Sequence, residues 1–192
     1  MSVSLAKGGN VSLTKEAPNL TSVTVALGWQ VRASTGADYD LDASALALGA
    51  NHKILSDAHF VFFNNLRSPD GSIEHLGDNL VGGEGGDDEQ INVDLVAVPP
   101  NVNSVVFAVS IYDADNRRQS FGQVRNAFIR VVDRNTGSEL ARFDLTEEAS
   151  TETAMVFGEL YRYNSEWKFR AIGQGYASGL RGIALDFGVN VG

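Results

Sequence analysis

Two runs of acidic residues hold most of the chemistry available to this sequence. The first is Asp38-Tyr39-Asp40-Leu41-Asp42-Ala43-Ser44, three carboxylates at a spacing of two. On a strand that spacing places Asp38, Asp40 and Asp42 on one face, about 6 to 7 Å apart at successive positions, with Tyr39 and Leu41 on the other. The second run, from Asp78 to Glu89, reads DNLVGGEGGDDE, five acids and four glycines in twelve residues. Two carboxylates brought within roughly 5 Å repel by about 3 kcal/mol at an effective dielectric near 20. A hard cation removes that cost. Calcium suits the donor set, because it takes about six to eight oxygens from carboxylates, carbonyls and water in a tolerant geometry. The glycines let the loop fold back and turn backbone carbonyls inward. The expected ligands are Asp38, Asp40, Asp42, Asp78, Asn79, Gly83 through its carbonyl, Glu84, Asp87, Asp88 and Glu89. They would form one site or two adjacent sites, with two calcium ions expected.

The distribution of charge points the same way. The chain of 192 residues has a formal charge of −9, yet residues 33 to 116 contain 14 acids against only Lys53 and Arg67, a local charge of −12. From Ser68 to Asn116 there is no Lys or Arg to balance the second run. Such a middle would repel phosphates, which argues against nucleic acid as a partner. With no cysteine, disulfides, thiolate zinc sites and cysteine nucleophiles are excluded. The start of the chain shows no apolar signal core, and no stretch approaches the roughly 18 to 20 apolar residues of a membrane span. The expected location is cytoplasmic.

Several familiar motifs fail on their chemistry. An EF-hand starting at Asp38 would need Gly at Ala43 and Glu at Gly49; one starting at Asp78 would need oxygen ligands where Leu80 and Gly82 stand. The run from Gly82 to Gly86 resembles a phosphate loop only in its glycines, since the lysine is missing and Asp87, Asp88 and Glu89 would repel the ligand. His52, His59 and His75 show no metal-ligand spacing and read as surface or satisfied histidines. Asp113 and Asp115 could join an acidic end, although Arg117 and Arg118 offer them local ion pairs. No active-site motif is present, so a non-enzymatic role is expected. Two other readings remain: an acidic scaffold that docks a basic partner with incidental metal binding, and a metal-dependent hydrolase that uses a carboxylate pair.

These residues must be positioned by strands. Val23, Val25, Leu27, Trp29 and Val31 alternate with polar or small residues, as do Ile91, Val93, Leu95 and Ala97 before Pro99-Pro100. VVFAVSIY at 105 to 112 is apolar on both faces and belongs in the middle of a sheet whose second face is also covered. Further strands are expected at 59–63, 127–132, 138–143, 155–163, 166–172 and 182–187, each bounded by turn-forming residues. Trp167 and Phe169 should face the core, with Lys168 and Arg170 in water. Helical signals are limited to Thr146-Glu147-Glu148 and, for a turn or two, Ser120 to Asn126. Turns are expected at Pro69-Asp70-Gly71 and Asn135-Thr136-Gly137. The fold class is therefore all-β, a β-sandwich of two mainly antiparallel sheets with short helical segments, in a single domain spanning 1–192.

The sequence also resembles the tellurium-resistance TerD family. MSVSLAKGGNVSL at 1–13, ALGW at 26–29, DYDLDAS at 38–44, GDN at 77–79, GGDDE at 85–89, RRQSFGQV at 117–124 and TAMVFGELYRYNSEWKFRAIGQGY at 153–176 carry the likeness, which covers nearly the whole chain. It implies a calcium-binding β-sandwich in bacterial stress responses, including tellurite, phage and colicin resistance, with no catalytic activity. It also implies membrane-associated complexes formed through partners such as the integral membrane protein TerC. Asp38, Asp40, Asp42, Asp78, Asp87, Asp88 and Glu89 match the family's acidic motifs. Val81-Gly82-Gly83-Glu84 departs from the family's more usual Thr-Gly-Glu-Gly, so Glu84 is the proposed ligand outside the pattern. No residue offers chemistry that would reduce or bind tellurite, for which thiols would be the natural choice.

Overall fold

Alternation of apolar and polar residues dominates the structure as it does the sequence. The structure is a computed structural model and describes residues 2–31, 41–76, 89–111, 124–144, 153–176 and 178–189. Its strands are β1 (Val3–Leu5), β2 (Asn10–Ser12), β3 (Ser22–Val31), β4 (Leu41–Leu48), β5 (Phe60–Val61), β6 (Ile73–His75), β7 (Glu89–Asp94), β8 (Ser104–Ile111), β9 (Val124–Asp133), β10 (Glu139–Asp144), β11 (Ala154–Tyr163) and β12 (Glu166–Tyr176). Among the described residues there are also two short α-helices, α1 (Leu13–Glu16) and α2 (Gly179–Asp186). The first sheet runs β1-β10-β9-β3-β7-β6 and the second β2-β12-β11-β8-β4-β5. Every pairing is antiparallel except β1 with β10. This is the all-β sandwich that the alternation requires.

The main core lies between the sheets. Val23, Val25, Leu27 and Trp29 of β3 and Ile91 and Val93 of β7 face Ala43, Ala45 and Ala47 of β4 and Phe107 and Val109 of β8. A second core covers the outer face of the second sheet, where Leu46, Leu48, Val106, Ala108, Ala154 and Val156 meet Ile183 and Ala184 of α2. That second layer is why β8 is buried at every position from Ser104 to Ile111. Trp167 and Phe169 are buried in the first core, whereas Lys168 and Arg170 reach outward over the rings of Tyr163 and Tyr161.

Three expectations need correction. Residues 182–186 belong to helix α2 and Phe187 caps it, rather than forming a strand, because Leu180, Ile183, Ala184 and Phe187 recur at spacings of three and four and bury one helical stripe. A short apolar run does not by itself separate the two periods. The alternation from Ile91 to Ala97 stops being strand at Asp94, whose Oδ1 accepts hydrogen bonds from the N–H groups of Val96 and Ala97 and turns the chain. At 59–63 only Phe60 and Val61 are strand, preceded by a 3₁₀ turn at Asp57–His59. Both expected turns are present, with Gly71 and Gly137 at φ of 78° and 75°. Thr146 to Glu148 lies outside the described residues, as does 120–123; Val124 to Asn126 is strand.

Gly158 marks a close approach between neighbouring strands. It sits at the register shift between β11 and its neighbours, and an added Cβ would fall 2.5 Å from Cζ of Phe169 and 3.0 Å from the carbonyl oxygen of Arg170. Phe169 is fully buried and has nowhere to retreat. Gly158→Ala should therefore cost about 1 to 3 kcal/mol of unfolding free energy in a urea titration, whereas Gly137→Ala, with open space around it, should cost only the backbone strain of a positive φ.

Candidate functional site

The four longer segments outside the described residues, 32–40, 77–88, 112–123 and 145–152, are all flanked by strand ends at one end of the sandwich. In the first sheet, Val31 pairs with Val124, Leu27 with Glu89, and Asp144 with Phe128. In the second, Leu41 pairs with Ile111, and Ser110 with both Asp42 and Ala154. The two acidic runs enter the fold at this rim: Asp42 near the start of β4, Glu89 as the first residue of β7.

Asp42 and Glu89 are both buried, at 4% and 1% exposure. The pleat aims them differently. Ala43, Ala45 and Ala47 face the inter-sheet core, so Asp42 and Ser44 share the outer face of the second sheet with Leu46 and Leu48, on the side that α2 covers. Glu89 shares the inner face of the first sheet with Ile91 and Val93. Its Oε1 accepts a hydrogen bond from the backbone N–H of Ala43 at 2.7 Å, across the gap between the sheets. Beneath that bond lies His75 of β6, fully buried, with Nε2 at 3.7 Å from the same oxygen. The tips of two acidic runs 46 residues apart thus meet through one hydrogen bond.

Of the expected ligands, Asp42 and Glu89 are placed here. Asp38, Asp40, Asp78, Asn79, Gly83, Glu84, Asp87 and Asp88 lie outside the described residues, as do Asp113 and Asp115. Among the described residues no group of three or more His, Cys, Asp or Glu side chains is placed to hold a metal ion. A complete calcium shell would have to draw on the segments that begin and end at this rim. The two placed acids are carboxylates, the kind of oxygen donor a hard cation takes, but they lie on different sheets and face different ways.

Sequence reasoning missed two features. One is His75 beneath Glu89; a single histidine two residues after an isoleucine in a three-residue strand gives no signal of its partner. The other is a network on the outer face of the second sheet, where Glu159 accepts a hydrogen bond from Nη2 of Arg170 at 2.8 Å and its second oxygen lies 2.7 Å from Nε2 of His52. Asn164 and Ser165 both have positive φ, which makes a two-residue hairpin turn and fixes Glu159 opposite Arg170. His59, for its part, pairs with the hydroxyl of Ser56 at 2.7 Å.

A two-sheet β-sandwich with the strand ends that border its acidic runs at one rim, and a helix sealing the outer face of one sheet, defines the class of protein. The chain belongs to the TerD family, whose domain matches residues 1–187. It is 58% identical over 190 residues to tellurium resistance protein TerD of Serratia marcescens, covering 99% of each chain. It is 51% identical to general stress protein 16U of Bacillus subtilis (strain 168), covering 100% of each. A crystal structure of a homologue of telluride resistance protein (TerD) from Streptomyces coelicolor A3(2) superposes with a TM-score of 0.70 at 28% identity, over 86% of this chain and 96% of that one. The family is one of tellurium-resistance and stress-response proteins. No helix among the described residues is long and apolar enough to cross a membrane.

The cover over Asp42's face has its own titratable anchor. The hydroxyl of Tyr176 donates to Oδ2 of Asp186 at the end of α2. Burial, and then the hydrogen bond to Asp186 and its negative charge, raise the Tyr176 pKa from 10.0 to about 12. The folded state therefore holds this proton more tightly than the unfolded chain, and the associated stability is complete below pH 10 and lost as pH rises through about 12. Denaturation midpoints measured across that range should fall in wild type and fall less in Tyr176→Phe, with ultraviolet tyrosinate absorbance reporting the delayed ionisation.

Proposed function

We propose that this chain is a calcium-binding, non-enzymatic stress-response protein of tellurite resistance, with phage and colicin resistance as further roles of the same module. Two calcium ions would be held by Asp38, Asp40, Asp42, Asp78, Asn79, the carbonyl of Gly83, Glu84, Asp87, Asp88 and Glu89. The observation that carries this reading is the hydrogen bond between Glu89 and Ala43, which joins the ends of two acidic runs far apart in sequence. The two runs carry eight acids between them, and no Lys or Arg stands anywhere from Ser68 to Asn116. A cation that bridges them relieves their repulsion and orders the rim, which changes the surface shown to a partner.

The family's naming for tellurium resistance and general stress supports an interaction module rather than an enzyme. By the family resemblance its partners are other tellurium-resistance proteins such as TerC, met at the cytoplasmic side of the inner membrane. The protein itself would be cytoplasmic and peripheral, without contact to nucleic acid.

Calorimetric titration with calcium and with magnesium, on wild type and on the double variant Asp40→Asn with Asp88→Asn, tests the site. Wild type should bind calcium and gain about 2.7 kcal/mol of stability at a hundredfold excess over the dissociation constant. The double variant should lose most of both effects. Unchanged calcium affinity in it would sink the assignment, and partner capture that survives chelation would move the reading to an acidic scaffold.

A further inference from the structure

We propose that the outer face of the β11–β12 hairpin is a docking surface for an extended acidic segment of a partner protein, with Arg170 as its anchor. Strand pairing sets Tyr161 opposite Lys168 and Glu159 opposite Arg170, so these four side chains share one face of the second sheet. Helix α2 covers that face over Ala154 and Val156. Beyond the cover, Tyr163 is 54% exposed and the side chain of Arg170 45% exposed. The surface is also positive on an acidic protein. Residues 1–16 and 154–176, which supply β1, β2, α1, β11 and β12, hold five bases against three acids in a chain whose total is −9.

The cations there are held in place before any partner arrives. Surface lysines and arginines ordinarily lose rotamer freedom on binding, which costs affinity. Arg170 has given up much of that freedom already: Nη2 donates to Oε1 of the buried Glu159 at 2.8 Å, and the guanidinium lies over the ring of Tyr161, 4.8 Å from its centroid. The other oxygen of Glu159 lies 2.7 Å from Nε2 of His52, which fixes the carboxylate in turn. Glu159 is thus a positioning residue for Arg170. Lys168 is set in the same way, with Nζ 4.5 Å from the centroid of the Tyr163 ring. Because a guanidinium carries five donor hydrogens in a rigid fork, Arg170 can bond Glu159 and a partner's carboxylate together.

Spacing and range decide the kind of partner. Lys168 and Arg170 stand two apart on β12, about 6 to 7 Å along the strand, so carboxylates at alternate positions of an extended chain meet both. A membrane surface or a nucleic acid fits less well, because an extended polyanion meets the repulsion of the whole charge of −9. A short acidic segment senses chiefly the charges within a Debye length, about 8 Å at physiological ionic strength, where the hairpin's own cations dominate. Tyr161 and Tyr163 also carry a cation over the ring, where a base would stack. The surface goes beyond the calcium reading and does not depend on it, so either fails without the other.

The probe is a synthetic peptide in which Asp alternates with Ser, titrated into the full chain in calcium-free buffer and followed by NMR. A peptide with the same residues in two blocks is its control. The amides of Tyr161 to Tyr163 and of Lys168 to Arg170 should shift with the alternating peptide, and the blocked one should bind more weakly. Lys168→Glu should weaken binding at least about tenfold. Arg170→Lys keeps the charge and the pair with Glu159 but loses the fork, and should weaken it at least about threefold. Circular dichroism checks that both variants fold as wild type does. No shift at these amides at about millimolar peptide overturns the surface, and so does unchanged affinity in Lys168→Glu. Unchanged affinity in Arg170→Lys overturns Arg170 as the anchor, and equal affinity for the two peptides overturns the extended register. Vesicles of equal parts phosphatidylglycerol and phosphatidylcholine, and an oligothymidylate, are titrated alongside. Tighter binding of either through the same amides gives the face to a membrane or a nucleic acid and overturns the acidic segment.

Discussion

A carboxylate taken out of water needs donors or positive charge around it, and this sandwich buries two of them at one rim. Glu89 meets that demand in part through the N–H of Ala43, and in doing so ties the first sheet to the second where neither has a long strand at its edge. The strands that flank the four segments outside the described residues are held in register by ordinary ladders within each sheet. One polar contact across the gap between the sheets runs through Glu89, with His75 packed behind it.

The second sheet has a different constraint, because it is apolar on both faces. Its inner face packs on the first sheet and its outer face packs under α2. Asp42 lies on the outer face, so an acidic residue at the rim is placed against the same layer as the C-terminal helix. The helix is held at its far end by Tyr176 on Asp186, by Lys53 on the carbonyl of Asp186, and by the N–H of Ile54 on the carbonyl of Phe187. The face that carries Asp42 is therefore part of a closed layer, and its chemistry has to be approached from the rim.

Much of this was legible in the residues. Period two in β3, β7 and β12 gave the strands and their buried faces, because a pleat admits only one assignment once one face is apolar. The double-sided burial of β8 followed from the lack of any polar alternation. The failures were local and had physical causes. Residues 182–187 were too short to separate strand from helix, and the stripe became visible only with Leu180 included. The end of β7 was set by the side chain of Asp94, whose preference for its own following amides outweighed an alternation that continued to Ala97.

By itself the sequence determined the class of fold, the segregation of acid into residues 33 to 116 and the family, since period, charge and motif are properties of the chain in order. It also determined that Asp38, Asp40 and Asp42 alternate and that Asp78 to Glu89 is rich in glycine. It could not determine that the two runs meet. That was decided by tertiary structure, because the join is a bond between residues 46 apart in different sheets, whose pairing depends on how the whole sandwich closes. For the same reason only the fold could put Asp42 and Glu89 on different faces, and set His75 behind the carboxylate that bonds to Ala43.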